Sequence, residues 1–180
     1  MRIQVITTFA LAASSLVAYA DKHVNPPADL TVTSGMFKDK GAIPTEMTCD
    51  GAETPPMLTW SGAPDNTKSF AIEVRDLDNQ GGKFAHWIVS GIKKDVTSIG
   101  GVPDGAVAGM NAKGDNGWMG PCPPAGATHR YQFTVFALDK NLNSRDYTLD
   151  KLDSAVKGHV VASGAIVGTY TRQAKTDLKP

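Results

Sequence analysis

The chain has 180 residues, a length that suits a single domain and is enough to bury a sizeable core. Its 18 basic and 18 acidic residues give a formal net charge of zero, which argues against binding to nucleic acid or to anionic membranes through overall charge. The 18 glycines, the 11 prolines and the repeated short alternating apolar runs indicate a β-rich fold with long connections.

Residues 1–20 have the pattern of a signal peptide. Arg2 provides a positive start, Ile3–Val17 is mostly apolar, and Ala18-Tyr19-Ala20 is a small-x-small cleavage pattern. The apolar stretch is shorter than the roughly 20 residues that a membrane-spanning helix needs. We therefore predict export to the periplasm or outside the cell, and a mature chain of residues 21–180 that forms one domain.

The first part of the mature chain alternates between short strands and an extended loop. Leu30–Ser34 alternates as a first strand, and Met57–Trp60 is a second short strand. Residues 35–56 between them are rich in glycine and proline and are predicted to be a loop that carries Cys49.

The two cysteines form an even pair in a chain that we expect to be exported. Cys49 and Cys122 each lie in a glycine- or proline-rich turn, so a disulfide between them is plausible. The alternative is a reactive Cys122 thiol near His129, as in a cysteine hydrolase. We favour the disulfide because a free catalytic thiol beside a second cysteine is poorly suited to an oxidising compartment.

A predicted hairpin carries the first set of polar candidates. Ser69–Arg75 alternates as a strand, and Asp76 and Asp78 emerge from its end on the same side. Ala85–Ile92 returns as the second strand. His86 lies at the start of this strand, and the hairpin brings it within reach of both carboxylates. An aspartate that accepts a hydrogen bond from one ring nitrogen would favour a charged imidazolium, which suits an anion. The alternative is a satisfied polar cluster at a sheet edge.

A long glycine-rich segment carries the second set of candidates. Eight glycines lie between residues 100 and 126, and unstructured loops of this length tend to be functional. The segment leads into Tyr131–Leu138, an alternating strand whose face His129 and Tyr131 share. Glycine amides, a proline turn, an imidazole and a phenol together predict a small anion site. The alternative is a tight connection with an ordinary surface histidine.

The last elements are a helix and a strand. Leu152, Val156 and neighbouring apolar residues up to Val160 follow helical spacing, with Asp150 as the expected N-cap. We expect His159 to pack against or cap this helix, and residues 165–171 to form the final strand.

Several of these stretches resemble the phosphatidylethanolamine-binding protein family. The motifs are Asp76-Leu77-Asp78, His86-Trp87-Ile88-Val89, residues 120–124 and His129-Arg130-Tyr131. Residues 48–51, 55–60 and 158–160 resemble its bacterial, Raf-kinase-inhibitor-like branch (YbhB/YbcL type). The resemblance covers residues 30–172.

The resemblance implies a mainly β fold, an antiparallel β-sandwich with one or two short peripheral helices. It also implies a pocket at one edge for phosphate, phosphoethanolamine or carboxylate groups. Leu77 stands where the family has a proline, and Asn79-Gln80 where it has Ala-Pro, so the pocket rim is expected to be less rigid. Together, the residue patterns and the resemblance predict these ligand-binding residues: Asp76, Asp78, His86, Gly120, Cys122, Pro123, Pro124, His129 and Tyr131.

We compare three functions. The first is an exported binding protein for a small anion or for a phosphorylated or carboxylate group of a partner. The second, which the family suggests, is a regulator or inhibitor of an extracytoplasmic hydrolase or host protein. The third is hydrolysis, the least favoured, since the sequence has no G-x-S-x-G or H-E-x-x-H motif and no metal-ligand spacing among its four histidines. We expect no cofactor, no nucleic acid partner and no membrane span in the mature chain, and bacterial relatives suggest a homodimer.

Overall fold

The computed structural model of the protein describes residues 28–174. The predicted signal peptide, residues 1–20, lies outside this range. Within it, no helix is long and apolar enough to cross a membrane.

The described part of the chain contains nine strands, one α-helix and two short 3₁₀ helices, Thr45–Met47 and Gln80–Gly82. A six-stranded sheet has the order β1-β9-β8-β4-β5-β7, and a three-stranded sheet has the order β2-β3-β6. Neighbouring strands are antiparallel except for the pair β1 and β9. The elements are β1 (Ala28–Asp29), β2 (Thr31–Ser34), β3 (Leu58–Ser61), β4 (Ser69–Asp76), β5 (Phe84–Lys93), β6 (Ser98–Ile99), β7 (Val107–Ala108), β8 (Thr128–Leu138), α1 (Leu149–Val156) and β9 (Val160–Thr171).

The main core lies between the two sheets. Alternate residues of β4, namely Phe70, Ile72 and Val74, pack there with Trp60 of the small sheet. Ala71 of β4 faces the other way and joins a second apolar cluster under α1. The prediction of a mainly β, largely antiparallel sandwich with a peripheral helix is confirmed.

Two boundaries near the C-terminus were predicted wrongly. The last strand begins at Val160 rather than Ala165, because it pairs with β8 along almost its whole length. Helix α1 ends at Val156, and its N-cap is Thr148, whose side chain accepts a hydrogen bond from the Lys151 backbone. Asp150 instead lies within the first helical turn, where its charge still favours the helix dipole.

His159 lies just after α1, as expected. Its backbone N–H donates to the carbonyl of Val156 at 2.9 Å, so it closes the end of the helix. Its imidazole contacts the Asp139 carboxylate at 2.8 Å and is partly exposed.

The sheet order brings three strand ends together at one edge. β4 lies between β5 and β8, and its last residue, Asp76, pairs with Phe84 on one side and Tyr131 on the other. The glycine-rich segment returns to this edge, where the N–H of Met119 donates to the backbone carbonyl of His86 at 3.0 Å. The predicted site residues therefore come from two adjacent strand pairs and one loop.

Candidate functional site

A buried aspartate and a half-buried histidine form the first part of the site. Asp76 is 3% exposed, and its Oδ2 lies 2.7 Å from Nδ1 of His129. Its other oxygen, Oδ1, accepts a hydrogen bond from the backbone N–H of Asp78 at 2.9 Å. Both carboxylate oxygens are thus engaged within the protein, and the His129 ring is held at the edge of the sheet.

His86 has a different partner from the one expected. The sequence suggested an aspartate, but Nδ1 of His86 lies 2.7 Å from the backbone carbonyl of Met119. Asp76 is taken by His129 because β8 is also a neighbour of β4, on the side away from the hairpin. Since a carbonyl only accepts, Nδ1 must carry the proton, and in the neutral ring Nε2 is then an acceptor.

The environment of His86 keeps its ring neutral. The residue is 2% exposed, and burial lowers its pKa, although the Met119 carbonyl and the Asp76 carboxylate oppose the shift. Its Nε2 is buried and has no hydrogen-bond partner among the described residues. Burial of the ring therefore opposes the charged His86 that the sequence suggested.

A small cavity opens beside these groups. Its volume is about 190 Å³, the space of about six water molecules, which suits a head group rather than a drug-sized ligand. Four of the nine predicted residues line it: Asp76, His86, Gly120 and Cys122. The other lining residues are Asn79, Phe84, Lys113 and Met119.

Tyr131 lies behind the cavity rather than on its lining. Its ring meets that of His86 edge to face, with centroids 5.1 Å apart, and lies 6.5 Å from the His129 ring. The hydroxyl is buried and has no hydrogen-bond partner within residues 28–174, and burial, with the nearby carboxylates, raises its pKa. The phenol therefore stays protonated and can donate a hydrogen bond.

Asp78 is engaged outside the cavity. Its carboxylate accepts from the guanidinium of Arg130 at 2.6 and 3.0 Å, and also from the Arg130 backbone N–H at 2.8 Å. These hydrogen bonds lower its pKa to about 2. Because its oxygens are so occupied, Asp78 fixes the end of β4 against β8 rather than facing the cavity.

A disulfide forms one wall of the cavity. Cys49 and Cys122 form a disulfide, with Cα atoms 5.4 Å apart. Cys122 is therefore not a free thiol, and this contradicts the alternative of a reactive Cys122. Gly120 lies against the facing turn so closely that a Cβ there would be 2.7 Å from the Met47 carbonyl oxygen. Pro123 and Pro124 follow the disulfide and do not line the cavity.

Two of the four lining residues outside the predicted set, Lys113 and Met119, gave no signal in the sequence. Lys113 is an exposed cation at the rim, and it lies in the glycine-rich segment, which has no periodicity that would locate it. Met119 acts through its backbone carbonyl, which no side-chain pattern reveals. In the described range, no group of histidine, cysteine or carboxylate side chains could hold a metal ion.

A larger cleft exists at the opposite end of β4 and β5. It measures about 460 Å³ and is lined by the exposed Lys68, Lys93 and Lys94, among others. None of the buried, unpartnered side-chain atoms of residues 28–174 belongs to its lining. The smaller cavity is lined by His86, whose Nε2 is such an atom, and we therefore regard it as the candidate site.

Comparisons with known proteins agree on one family. The family model described as phosphatidylethanolamine-binding protein matches residues 33–171. The crystal structure of Escherichia coli YbcL, titled as a new member of the mammalian PEBP family, superposes with a TM-score of 0.74 at 34% identity, covering 81% of this chain and 100% of that chain.

Two curated relatives extend the comparison. A UPF0098 protein of Methanothermobacter thermautotrophicus is 37% identical over 148 residues, which cover 76% of this chain and 95% of that protein. A Mycobacterium tuberculosis protein named as a lipoprotein, LppC, is 44% identical over 112 residues, which cover 61% of this chain and 55% of that protein.

Proposed function

The chain belongs to the phosphatidylethanolamine-binding protein family, and we propose that it is an exported binding protein whose edge cavity receives the anionic head of a small ligand. Candidate heads are phosphate, phosphoethanolamine and carboxylate. The observation that carries the proposal is that His86 lines the cavity while its buried Nε2 has no hydrogen-bond partner among the described residues. Buried polar atoms in proteins are almost always hydrogen-bonded, so an orphan in a cavity wall favours a ligand that completes it.

The neighbouring groups support an anion. Lys113 places a positive charge at the rim, and the Tyr131 hydroxyl is a buried donor behind the His86 ring. When His86 is protonated, its Nε2–H becomes a charge-assisted donor, which is among the stronger hydrogen bonds that proteins make. The buried Asp76 carboxylate opposes an anion, but it is compensated in part by its contact with His129.

The small size of the cavity limits the affinity. A bare phosphate makes few contacts, and these must offset the cost of immobilising the ligand. Any larger part of a ligand would lie outside, across the exposed Cys122 and Lys113. We expect a free head group to bind with millimolar to micromolar affinity, and a ligand that also contacts the rim to bind more tightly.

Export is supported by independent features. Disulfides persist in oxidising compartments, and the two cysteines of the chain are joined in a disulfide. The relative LppC is named as a lipoprotein. Regulation of a hydrolase or host protein through the same cavity stays a prediction from the family resemblance.

The test is an NMR titration of the purified protein with phosphate and with phosphoethanolamine between pH 5 and pH 8. We expect saturable shifts at the cavity that strengthen as the pH falls, because protonation turns His86 from an acceptor into a donor. The variants His86→Ala and His129→Ala should lose them, whereas His159→Ala, outside the cavity, should keep them. An absence of shifts at millimolar ligand in the folded wild-type protein would contradict the proposal.

A further inference from the structure

The orientation of His86 creates a mismatch with a fully ionised ligand. Its Nδ1–H donates a hydrogen bond to the Met119 carbonyl, and the Met119 N–H donates in turn to the backbone carbonyl of His86. The ring therefore cannot turn to offer Nδ1–H to the cavity without breaking a buried hydrogen bond. Its Nε2 is the ring nitrogen that has no hydrogen-bond partner among the described residues, and its lone pair would repel the oxygens of a dianion.

The charges around the ring do not remove this mismatch. From β4, Asp76 is a carboxylate, and from β8, Tyr131 is a neutral phenol and His129 is bound to Asp76. From the glycine-rich loop, Lys113 is the cation of the lining. Among the lining residues, the Asp76 carboxylate offsets the Lys113 ammonium, so a dianion would meet one cation and one buried anion.

A proton placed at Nε2 resolves the mismatch. On this basis, which rests on the proposed function, we propose that the cavity binds the dianion of a phosphate monoester together with one proton, which is held in the hydrogen bond between His86 Nε2 and a phosphate oxygen. The proton comes from the solvent when the free ligand is a dianion, and arrives with the ligand when it is a monoanion. Apart from this proton transfer, no covalent bond is made or broken.

The proposal selects a chemical class of ligand. A phosphate monoester has its second pKa near 6, so it can carry this proton at close to neutral pH. A sulfate monoester of the same shape stays fully ionised and brings no proton, so His86 must take one from solvent against the effect of burial. Methyl phosphate should therefore bind more tightly than methyl sulfate near pH 6.

Calorimetry in buffers of different ionisation enthalpy measures the protons taken up per ligand. For methyl phosphate we expect about one proton at pH 8 and about half a proton at pH 6, since half of the free ligand is then already protonated. Affinity should fall about tenfold between pH 7 and pH 8, as it does for any equilibrium that takes up one proton. In parallel, the ¹⁵N resonance of His86 Nε2 should move towards its protonated value on binding.

Three matched variants assign the proton. His86→Gln should lose both the uptake and the pH dependence, whereas His159→Gln, the same change at a histidine paired outside the cavity, should keep both. If His129→Gln loses the uptake and His86→Gln keeps it, the proton belongs to the Asp76–His129 pair and the proposal is wrong.

The remaining outcomes separate this inference from the proposed function. Binding of methyl phosphate without proton uptake, and with an unchanged His86 resonance, would overturn the inference and leave an anion-binding protein. No binding of either probe between pH 5 and pH 8 would overturn the proposed function and the inference with it. Because the ¹⁵N measurement uses the wild-type protein, it decides the matter even if His86→Gln does not fold.

Discussion

Removing the disulfide should destabilise the protein substantially. The bond joins Cys49 and Cys122 across a sequence separation of 73 residues. In the chain-entropy account, closing a loop of this length in the unfolded state contributes about 4 kcal/mol to the free energy of unfolding. For a domain of this size, that corresponds to a fall in melting temperature of roughly 8–16 °C.

The loss should also reach the cavity. Cys122 lines it, and the Cys49 N–H donates to the Pro121 carbonyl at 3.1 Å, so the bond fixes the turn that carries Cys49 against the loop that carries Gly120. Without it, that hydrogen bond and van der Waals packing remain between the two segments. We expect weaker binding of phosphate in addition to the loss of stability.

Urea unfolding of the wild-type protein with and without reductant, beside a Cys49→Ser/Cys122→Ser variant, measures the effect. Reductant should lower the wild-type free energy of unfolding to that of the variant and leave the variant unchanged. If reduced and oxidised wild-type proteins agree to within about 1 kcal/mol, the reasoning from loop entropy is refuted. An unchanged phosphate affinity would refute the structural role of the bond in the cavity wall.

Two further substitutions test the packing around the site and beneath the sheet. Gly120→Ala should destabilise the protein by about 1–3 kcal/mol and weaken phosphate binding, because its Cβ would lie 2.7 Å from a backbone oxygen. Gly101→Ala is the control, since a Cβ at Gly101 would have no atom within 4 Å. Equal urea midpoints for the two variants would contradict the packing argument. Arg75→Ala should cost about 3–5 kcal/mol near pH 7, because it leaves the buried Glu73 without its two 2.7 Å hydrogen bonds. Burial already raises the pKa of Glu73, so the folded variant binds more protons than the unfolded chain and its deficit should shrink as the pH falls from 7 to 5. Arg130→Ala, which removes an exposed pair, should cost far less, and a deficit of Arg75→Ala that did not change with pH would show that Glu73 is not the cause.

The large strands could be predicted from the sequence because large apolar residues alternate along them. β4 buries Phe70, Ile72 and Val74 in the main core, and this alternation is visible in the sequence. The start of β9 was missed, because Val160 continues the spacing of α1 and the following residues are small. Only its pairing with Leu138 of β8 decides that Val160 is in a strand.

The sequence predicted which residues form the site better than it predicted their hydrogen-bond partners. Sequence showed that Asp76 and His86 share a hairpin, and local pairing made them the expected partners. A strand inside a sheet has two neighbours, however, and the second neighbour of β4 comes from a distant part of the chain. That strand brings His129 to Asp76 and leaves His86 to the backbone of Met119.

The pairing of β4 with β8 has a consequence for how the protein matures. Asp76 and His129 are 53 residues apart in sequence, and their contact exists only after β8 has taken its place between β4 and β9. Such long-range pairing is slow to form, because the entropy of closing the intervening chain is lost before the contact compensates it. A newly synthesised molecule should thus acquire its ligand affinity late, and the time at which phosphate binding first appears during refolding would report the completion of the sheet.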